Sequence, residues 1–375
     1  MSGPLEGYKV LEMAGIGPGP FCAMMLSDMG AEVIRVDRKK PAFLGGGGTV
    51  VDRGRKSIAV DIKKPGAVEI VLEIIATCDA LIEGYRPGVM ERLGLGPDLC
   101  LKLNPRIVYG RMTGWGQNGP LSKAAGHDLN YIAISGVLNA LGESDRPPPP
   151  PLHLLGDIGG GGMMLAFGIV CALLESRRSG QGQVIDAAIC DGIATLSTAY
   201  HGNLATGKWL NKRQANMLDG GAHFYGCYVC ADGKFISIGA IEPDFYAELL
   251  NLCKIQDPDF NSQWDREKWP ELRTKLELIF ASKTRDQWCE LLEGSDSCFA
   301  PVLDFEEAQQ YPHYVARSTF VQSGSIVHPA PSPRFGRTPG KPGKINMPGH
   351  HTEEILKGLG KSSNDIFMLR EKGVI

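Results

Sequence analysis

Strand-like and helix-like segments alternate over residues 1–190, and that alternation predicts an α/β fold built on a doubly wound parallel sheet. Glycine-rich turns stand where strands hand over to helices, as such a sheet requires. Beyond residues 184–188 the pattern changes to a hairpin followed by helices, which predicts a second, smaller α+β unit.

Residues 8–14 read as a strand running into the turn Gly15-Ile16-Gly17-Pro18-Gly19-Pro20. Residues 21–29 have helical spacing, and Gly30 stops them. Residues 31–37 are a second strand, which makes a βαβ unit with parallel strands. The alternation continues with a strand at 58–61, a helix at 65–77, and strands at 80–83 and 107–112. Residues 147–151 are all proline, an extended polyproline II strut leading toward Asp157. The apolar run 163–174 is too short to span a bilayer and predicts a buried helix. Residues 190–218 read as a helix and linker broken at Ala205-Thr206-Gly207. Segments 225–229 and 235–239 then pair about the turn Asp232-Gly233. A linker rich in proline and basic residues crosses at 329–348, and short helices at 350–359 and 363–373 close the chain.

A net charge of −3 over 375 residues argues against nucleic acid and against a polybasic membrane patch as partners. No charged leader precedes an apolar stretch at the N-terminus, so no secretory signal is expected. Ten cysteines without regular spacing lead us to expect reduced, intracellular thiols. Cys227 and Cys230 form a C-x-x-C pair with no second pair to complete a metal site, so no metal is expected.

The chemistry concentrates in two short segments. His127 lies in Ala125-Gly126-His127-Asp128-Leu129-Asn130-Tyr131-Ile132, just ahead of an apolar helix-like run. Asp157 lies in Leu154-Leu155-Gly156-Asp157-Ile158 and leads into the four glycines 159–162. An imidazole and a carboxylate beside glycine-rich turns suit a carbon-acid proton shuttle. His127 by itself is also what a packing histidine looks like, and Asp157 is also a candidate helix N-cap with free amides behind it at Gly159. Glu242, before Pro243, reads either as surface charge or as a carboxylate that orients an imidazole. Arg38, Arg55, Lys56 and Arg86 recur at strand ends, where loops meet ligands, and together suit a polyanion. The first turn invites a dinucleotide reading, with Gly15, Gly17 and the downstream acid Asp37. Pro20 occupies the third glycine position, however, and Pro18 and Pro20 remove two phosphate-binding amides.

Ordered motifs along the chain resemble family III coenzyme-A transferases. They include Gly17-Pro18-Gly19-Pro20-Phe21, Glu32-Val33-Ile34-Arg35-Val36-Asp37-Arg38, Arg53-Gly54-Arg55-Lys56-Ser57, Arg86-Pro87-Gly88-Val89-Met90, Gly114-Trp115-Gly116-Gln117, Gly126-His127-Asp128, Asp219-Gly220-Gly221-Ala222, Ile241-Glu242-Pro243 and His351-Thr352-Glu353-Glu354-Ile355-Leu356. The resemblance implies a large Rossmann-like domain (1–189, completed by 349–375), linkers at 190–218 and 322–348, a small domain at 219–321 and an interlocked homodimer. It implies His127 and Asp157 as acid–base groups, with Glu242 completing the site. It also implies a CoA site using Arg38, Ala59, Val60, Asp61, Ile62, Arg86, Gly126, Asp128, Leu129, Asn130 and Tyr131.

Transferases of the family use the equivalent of Asp157 as a nucleophile and generally lack the histidine of Gly-His-Asp and the glutamate of Ile-Glu-Pro. Both are present here, so the resemblance favours inversion of the α-carbon of 2-methylacyl-CoA thioesters. CoA then enters with the substrate and no separate cofactor is needed. CoA transfer through Asp157 and a nicotinamide-dependent dehydrogenase are the alternatives. His350 and His223 depart from the family pattern, replacing a usual glutamate and a usual proline. Family members in eukaryotes imply peroxisome or mitochondrion, although Gly373-Val374-Ile375 is not a peroxisomal tripeptide. Met163, Met164 and Met217 suggest a tolerant acyl wall, although core filling is the commoner use of methionine.

Overall fold

Strands β1 (Lys9–Met13), β2 (Glu32–Asp37), β3 (Arg55–Ala59), β4 (Ala80–Glu83), β5 (Val108–Thr113) and β6 (Val184–Ala188) pair in parallel in the order β3-β2-β1-β4-β5-β6. Val10 and Leu11 of β1 and Ala80, Leu81 and Ile82 of β4 are fully buried, as strands covered on both faces must be. The strand order reverses between β1 and β4, which opens a crevice at their carboxyl ends. The doubly wound sheet expected from the alternation is therefore present. The structure is a computed structural model and describes residues 3–39 and 47–375.

Seven α-helices connect or cover these strands among the described residues. They are α1 (Pro18–Asp28), α2 (Ala67–Ala76), α3 (Val89–Arg92), α4 (Pro97–Leu103), α5 (Asp128–Ala133), α6 (Met164–Ser179) and α7 (Ile189–Leu196). Helix α1 begins inside the expected turn, at Pro18 rather than residue 21. A proline has no amide to leave unpaired in a first turn and its φ is already helical, so the prolines start the helix. Leu154–Met163 is a π-helix that leads directly into α6. The apolar run at 163–174 is not a fully buried helix. Only one face, with Leu165, Ala166, Ile169 and Leu173, is buried, while Phe167 and Leu174 are 70% and 63% exposed. Leu154–Ser179 together is 26 residues, long and apolar enough by length and composition to cross a membrane.

The second unit holds α8 (Thr198–Ala205), β7 (Tyr225–Val229), β8 (Phe235–Gly239), α9 (Pro243–Leu252), α10 (Trp269–Phe280), α11 (Arg285–Leu292), β9 (Phe299–Val302), α12 (Phe305–Gln310) and α13 (Pro312–Ala316). The hairpin pairs Tyr225 with Gly239 about the Asp232-Gly233 turn, and β9 adds an antiparallel third strand. Phe224, Tyr228, Phe260, Phe280 and Trp288 fill its core. The chain then supplies β10 (Phe320–Ser323), β11 (Ile326–Pro329), α14 (Thr352–Gly358) and α15 (Ser363–Glu371), which belong to the first unit.

The units are Met1–Ser135 with Pro151–Ser197 and Thr319–Ile375, and Gly136–Pro150 with Thr198–Ser318. These limits differ from the boundaries expected from the sequence. Most of the proline strut falls in the second unit, where Arg213 donates to the carbonyls of Asn139, Glu143 and Arg146. The return linker at 322–348 is part of the first unit, tied by Arg53 to His328 and the Pro329 carbonyl.

Candidate active site

A cavity of about 330 Å³ opens at the carboxyl ends of β1, β4 and β5, where the strand order reverses. Met13, Ile82, Met112 and Trp115 form apolar wall, and Arg86, His127, Tyr131 and Asp157 supply its polar groups. The two acid–base candidates thus line one space.

His127 is the N-cap of α5, in extended backbone conformation. Its backbone amide donates to Asn130 Oδ1 at 3.0 Å. Local capping therefore uses the main chain and Asn130, and leaves the exposed imidazole for the cavity. Tyr131, one turn on, donates its hydroxyl to the Gly126 carbonyl and packs edge-on against Trp115, with ring centroids 4.7 Å apart. That brace fixes the loop on which His127 sits. Trp115 Nε1 is buried without a partner among the described residues.

Asp157 lies in the first turn of the π-helix, whose N-cap is His153, which corrects the N-cap expectation. The amides from Gly159 onward lie within that helix, so they are spent on its i→i+5 bonds and are not free donors. The widened helix instead brings Asp157 against Gly17. Gly17 has φ +66°, and a Cβ there would lie 2.8 Å from Asp157 Oδ2, so this cap of α1 must be glycine. Burial pushes the Asp157 carboxyl up to about 6, and the neighbouring Asp128 charge adds to the rise, while His153 and His127 oppose it. A carboxyl poised there can both give and accept a proton near neutral pH.

The remaining predicted residues divide into several groups. Arg86 lines the cavity, and Arg38, exposed beyond β2, interacts with the Tyr85 hydroxyl at its rim. Leu129 and Asn130 are exposed on α5, and Gly126 lines the cavity. Asp128 is buried, with Oδ1 accepting from the Asp157 amide at 2.7 Å. Ala59 ends β3 and Val60, Asp61 and Ile62 follow it, but three of their amides are already taken. Ala59 donates to Thr352 Oγ1, Val60 to the Asp37 carbonyl and Asp61 to the Val374 carbonyl. Glu242 caps α9 in the second unit, with its side chain exposed.

Arg55 is not a ligand-facing cation as its place at a strand end suggested: it is 1% exposed and bonded to Glu12 at 2.7 Å. Lys56 pairs with Glu32 and Glu354. The methionine wall is also corrected. Met163 is exposed and Met217 packs on the core of the second unit, whereas Met13 and Met112 line the cavity. Met13, Met112, Tyr85 and Trp115 were missed, although their position at or just past the ends of β1, β4 and β5 is the signal that finds them.

The profile of CoA-transferase family III matches residues 5–352. The chain belongs to that family. It is 44% identical over 375 residues to the alpha-methylacyl-CoA racemase of Mus musculus, covering 99% of this chain and 97% of that protein. The Homo sapiens protein of the same name is 42% identical over 374 residues, at 99% and 97% coverage. The succinyl-CoA:glutarate CoA-transferase of Mus musculus is 33% identical over 380 residues, at 94% and 86%. A crystal structure of a CaiB/BaiF family protein from Brucella suis shares the fold, with TM-score 0.82, 24% identity, and coverage of 96% of this chain and 100% of that one.

Proposed function

We propose that this enzyme inverts the α-carbon of 2-methylacyl-CoA thioesters by 1,1-proton transfer through an enolate. The observation that carries the reading is an imidazole and a carboxyl raised to about 6 lining one cavity at the sheet's switch point. The two near-full-length relatives named as racemases support the substrate class.

A thioester acidifies its α-carbon because the carbanion delocalises onto oxygen. Inversion removes the α-proton from one face and returns one to the other. In one direction neutral His127 takes the proton and protonated Asp157 supplies its replacement; in the other direction the roles exchange. The first-turn amides of α5, Asp128 and Leu129, have no helical partners and stand next to His127 in the chain, so they are the donors for the enolate oxygen. Arg38, Arg86, residues 59–62 and the segment from Gly126 to Tyr131 bind the CoA portion, whose remote contacts position the reacting carbon. CoA enters as part of the substrate and the reaction uses no further cofactor or metal.

The functional form is an interlocked homodimer, and Glu242 completes the site by orienting His127. The large domain combines both chain ends and the small domain covers the partner's site. The compartment is peroxisome, mitochondrion or both, tested by imaging a chain tagged internally.

Incubation with a 2-methylacyl-CoA in deuterium oxide tests the reading: the α-position gains deuterium with no other change. A family III CoA transferase is the second reading, favoured by the likeness to the succinyl-CoA:glutarate enzyme. It requires an acceptor acid for any turnover and forms an Asp157 adduct that hydroxylamine traps. Turnover only with an acceptor acid would replace the racemase reading.

A further inference from the structure

We propose that Asp128 is the positioning residue of Asp157, anchoring the π-helix turn with one carboxylate oxygen and setting its negative charge beside the neighbouring carboxyl. The inference deepens the racemase reading and rests on it. Three observations carry it. Asp128 Oδ1 accepts from the Asp157 amide at 2.7 Å across 29 residues of chain. The Asp128 side chain is buried and makes no ion pair among the described residues. Gly156, the residue before Asp157, leaves the space that Asp128 Oδ1 occupies, and any Cβ there would collide with it. A bare carboxylate is costly to bury, and one placed directly on the backbone of a proton carrier needs a reason. Residues 128–131 are also a CoA-binding candidate segment, but a side chain turned inward to the Asp157 amide is not available to CoA.

The charges around Asp157 allow the proposal to be read in a pH profile. Asp128 raises it, and His153 at the start of its own helix and His127 lower it. Tyr131 of α5 responds to the Asp157 charge and to Arg86. On the other elements packed against the π-helix, Asp191 of α7 is bonded by Cys190 and Asp186 of β6 accepts from the Gln117 amide. Arg111 of β5 is held by Glu83 and Glu91, and Asp28 of α1 by Arg53. Cys22 of α1 is fully buried beside Glu12, and Glu175, Arg177 and Arg178 of α6 lie in its C-terminal half. Asp128 is therefore the negative neighbour that acts on Asp157.

The test is the pH dependence of kcat/KM for α-deuterium wash-in by the full-length enzyme and two variants. Asp128→Asn keeps an oxygen acceptor and the side-chain size but removes the charge. The limb of its pH profile that reports Asp157 moves to lower pH by about one unit, because losing a nearby negative charge makes the Asp157 carboxyl more acidic. KM for the acyl-CoA stays near the parent value. Asp128→Ala removes acceptor and charge and loses about 10²-fold in kcat at every pH. If the Ala variant does not fold, the Asn profile decides alone. An Asn profile that superimposes on the parent's, or an Asn variant changed only in KM, overturns the positioning role. Failure of the parent enzyme to wash in deuterium overturns the racemase reading instead, so the two failures are distinct.

Discussion

Two groups of carboxylates lie inside the first unit, and they are held in opposite ways. Around β1 to β3 every buried acid has a guanidinium: Glu12 meets Arg55 at 2.7 Å, Asp37 meets Arg35 at 2.8 Å, and Asp28 is gripped by both Arg53 Nη2 and Nε at 2.5 and 3.0 Å. At the cavity, Asp157 and Asp128 have no cation paired to them among the described residues, and share one backbone hydrogen bond. A buried acid with its own cation is fixed in one charge state and serves the fold. Asp157, partly buried and without one, is pushed up to about 6 by burial and by the Asp128 charge, and that is what a proton carrier requires. The same residue type, on the same sheet, is structural at one edge and reactive at the switch point.

The sharpest break of that contrast is Asp157→Asn. An amide of the same shape cannot carry the proton, so α-deuterium wash-in falls by about 10³-fold while the melting temperature stays near the parent's. Wash-in at the parent rate would remove Asp157 from the reaction. The converse experiment is Arg55→Met. It leaves Glu12 buried without its cation and costs about 3–5 kcal/mol of stability, read from the urea midpoint, while kcat of the folded fraction holds. Adding Glu12→Leu restores much of that stability, because a buried pair is replaced well by apolar side chains but poorly by half a pair. An unchanged midpoint in the single variant would mean that the two regions do not differ as argued.

Gly17 sharpens the contrast from the cavity side. Alanine there must adopt a left-handed backbone and place Cβ 2.8 Å from Asp157 Oδ2, so either the cap of α1 or the carboxyl moves. A displacement of the reacting group by a fraction of an ångström to an ångström lowers kcat by about 10²-fold with little change in KM. A Gly17→Ala enzyme with unaltered kcat would show that Asp157 has slack that the close approach denies.

How much of this was legible in the chain follows from the range of each signal. Five of the six strands and the hairpin were readable because strand and helix periods are local, and their ends moved by a few residues at most. His127 and Asp157 were readable as a pair because each stands beside unusual turn chemistry. The π-helix was not, since an i→i+5 ladder through four glycines leaves no apolar period to detect. That error propagated: it made Asp157 a cap, and it made the Gly159 amides look free. Arg55 and Lys56 looked alike as strand-end cations, and only tertiary packing puts one under Glu12 and leaves the other at the surface. The contact of Asp128 with the Asp157 amide was hidden for the same reason, the two being 29 residues apart.

The smallest effect tests a buried titratable group of the second unit that takes no part in the proposed catalysis. His223 is fully buried among Phe224, Tyr246 and Phe260, with Nε2 2.7 Å from the Tyr246 hydroxyl and Nδ1 without a partner among the described residues. Burial lowers its imidazole from 6.5 to about 4, with Arg273 opposing the cation further. The unfolded chain therefore binds a proton below about pH 6.5 that the folded unit refuses until about pH 4, so stability falls as the pH drops through that window. From pH 7 to pH 5 the loss is about 2 kcal/mol. His223→Gln keeps a donor or acceptor for Tyr246 and removes the titration, so the fall in unfolding midpoint between those two pH values shrinks by that amount relative to the parent. An equal fall in both proteins would show that the imidazole is protonated in place, and that burial alone, without a paired charge, does not hold a group in one state.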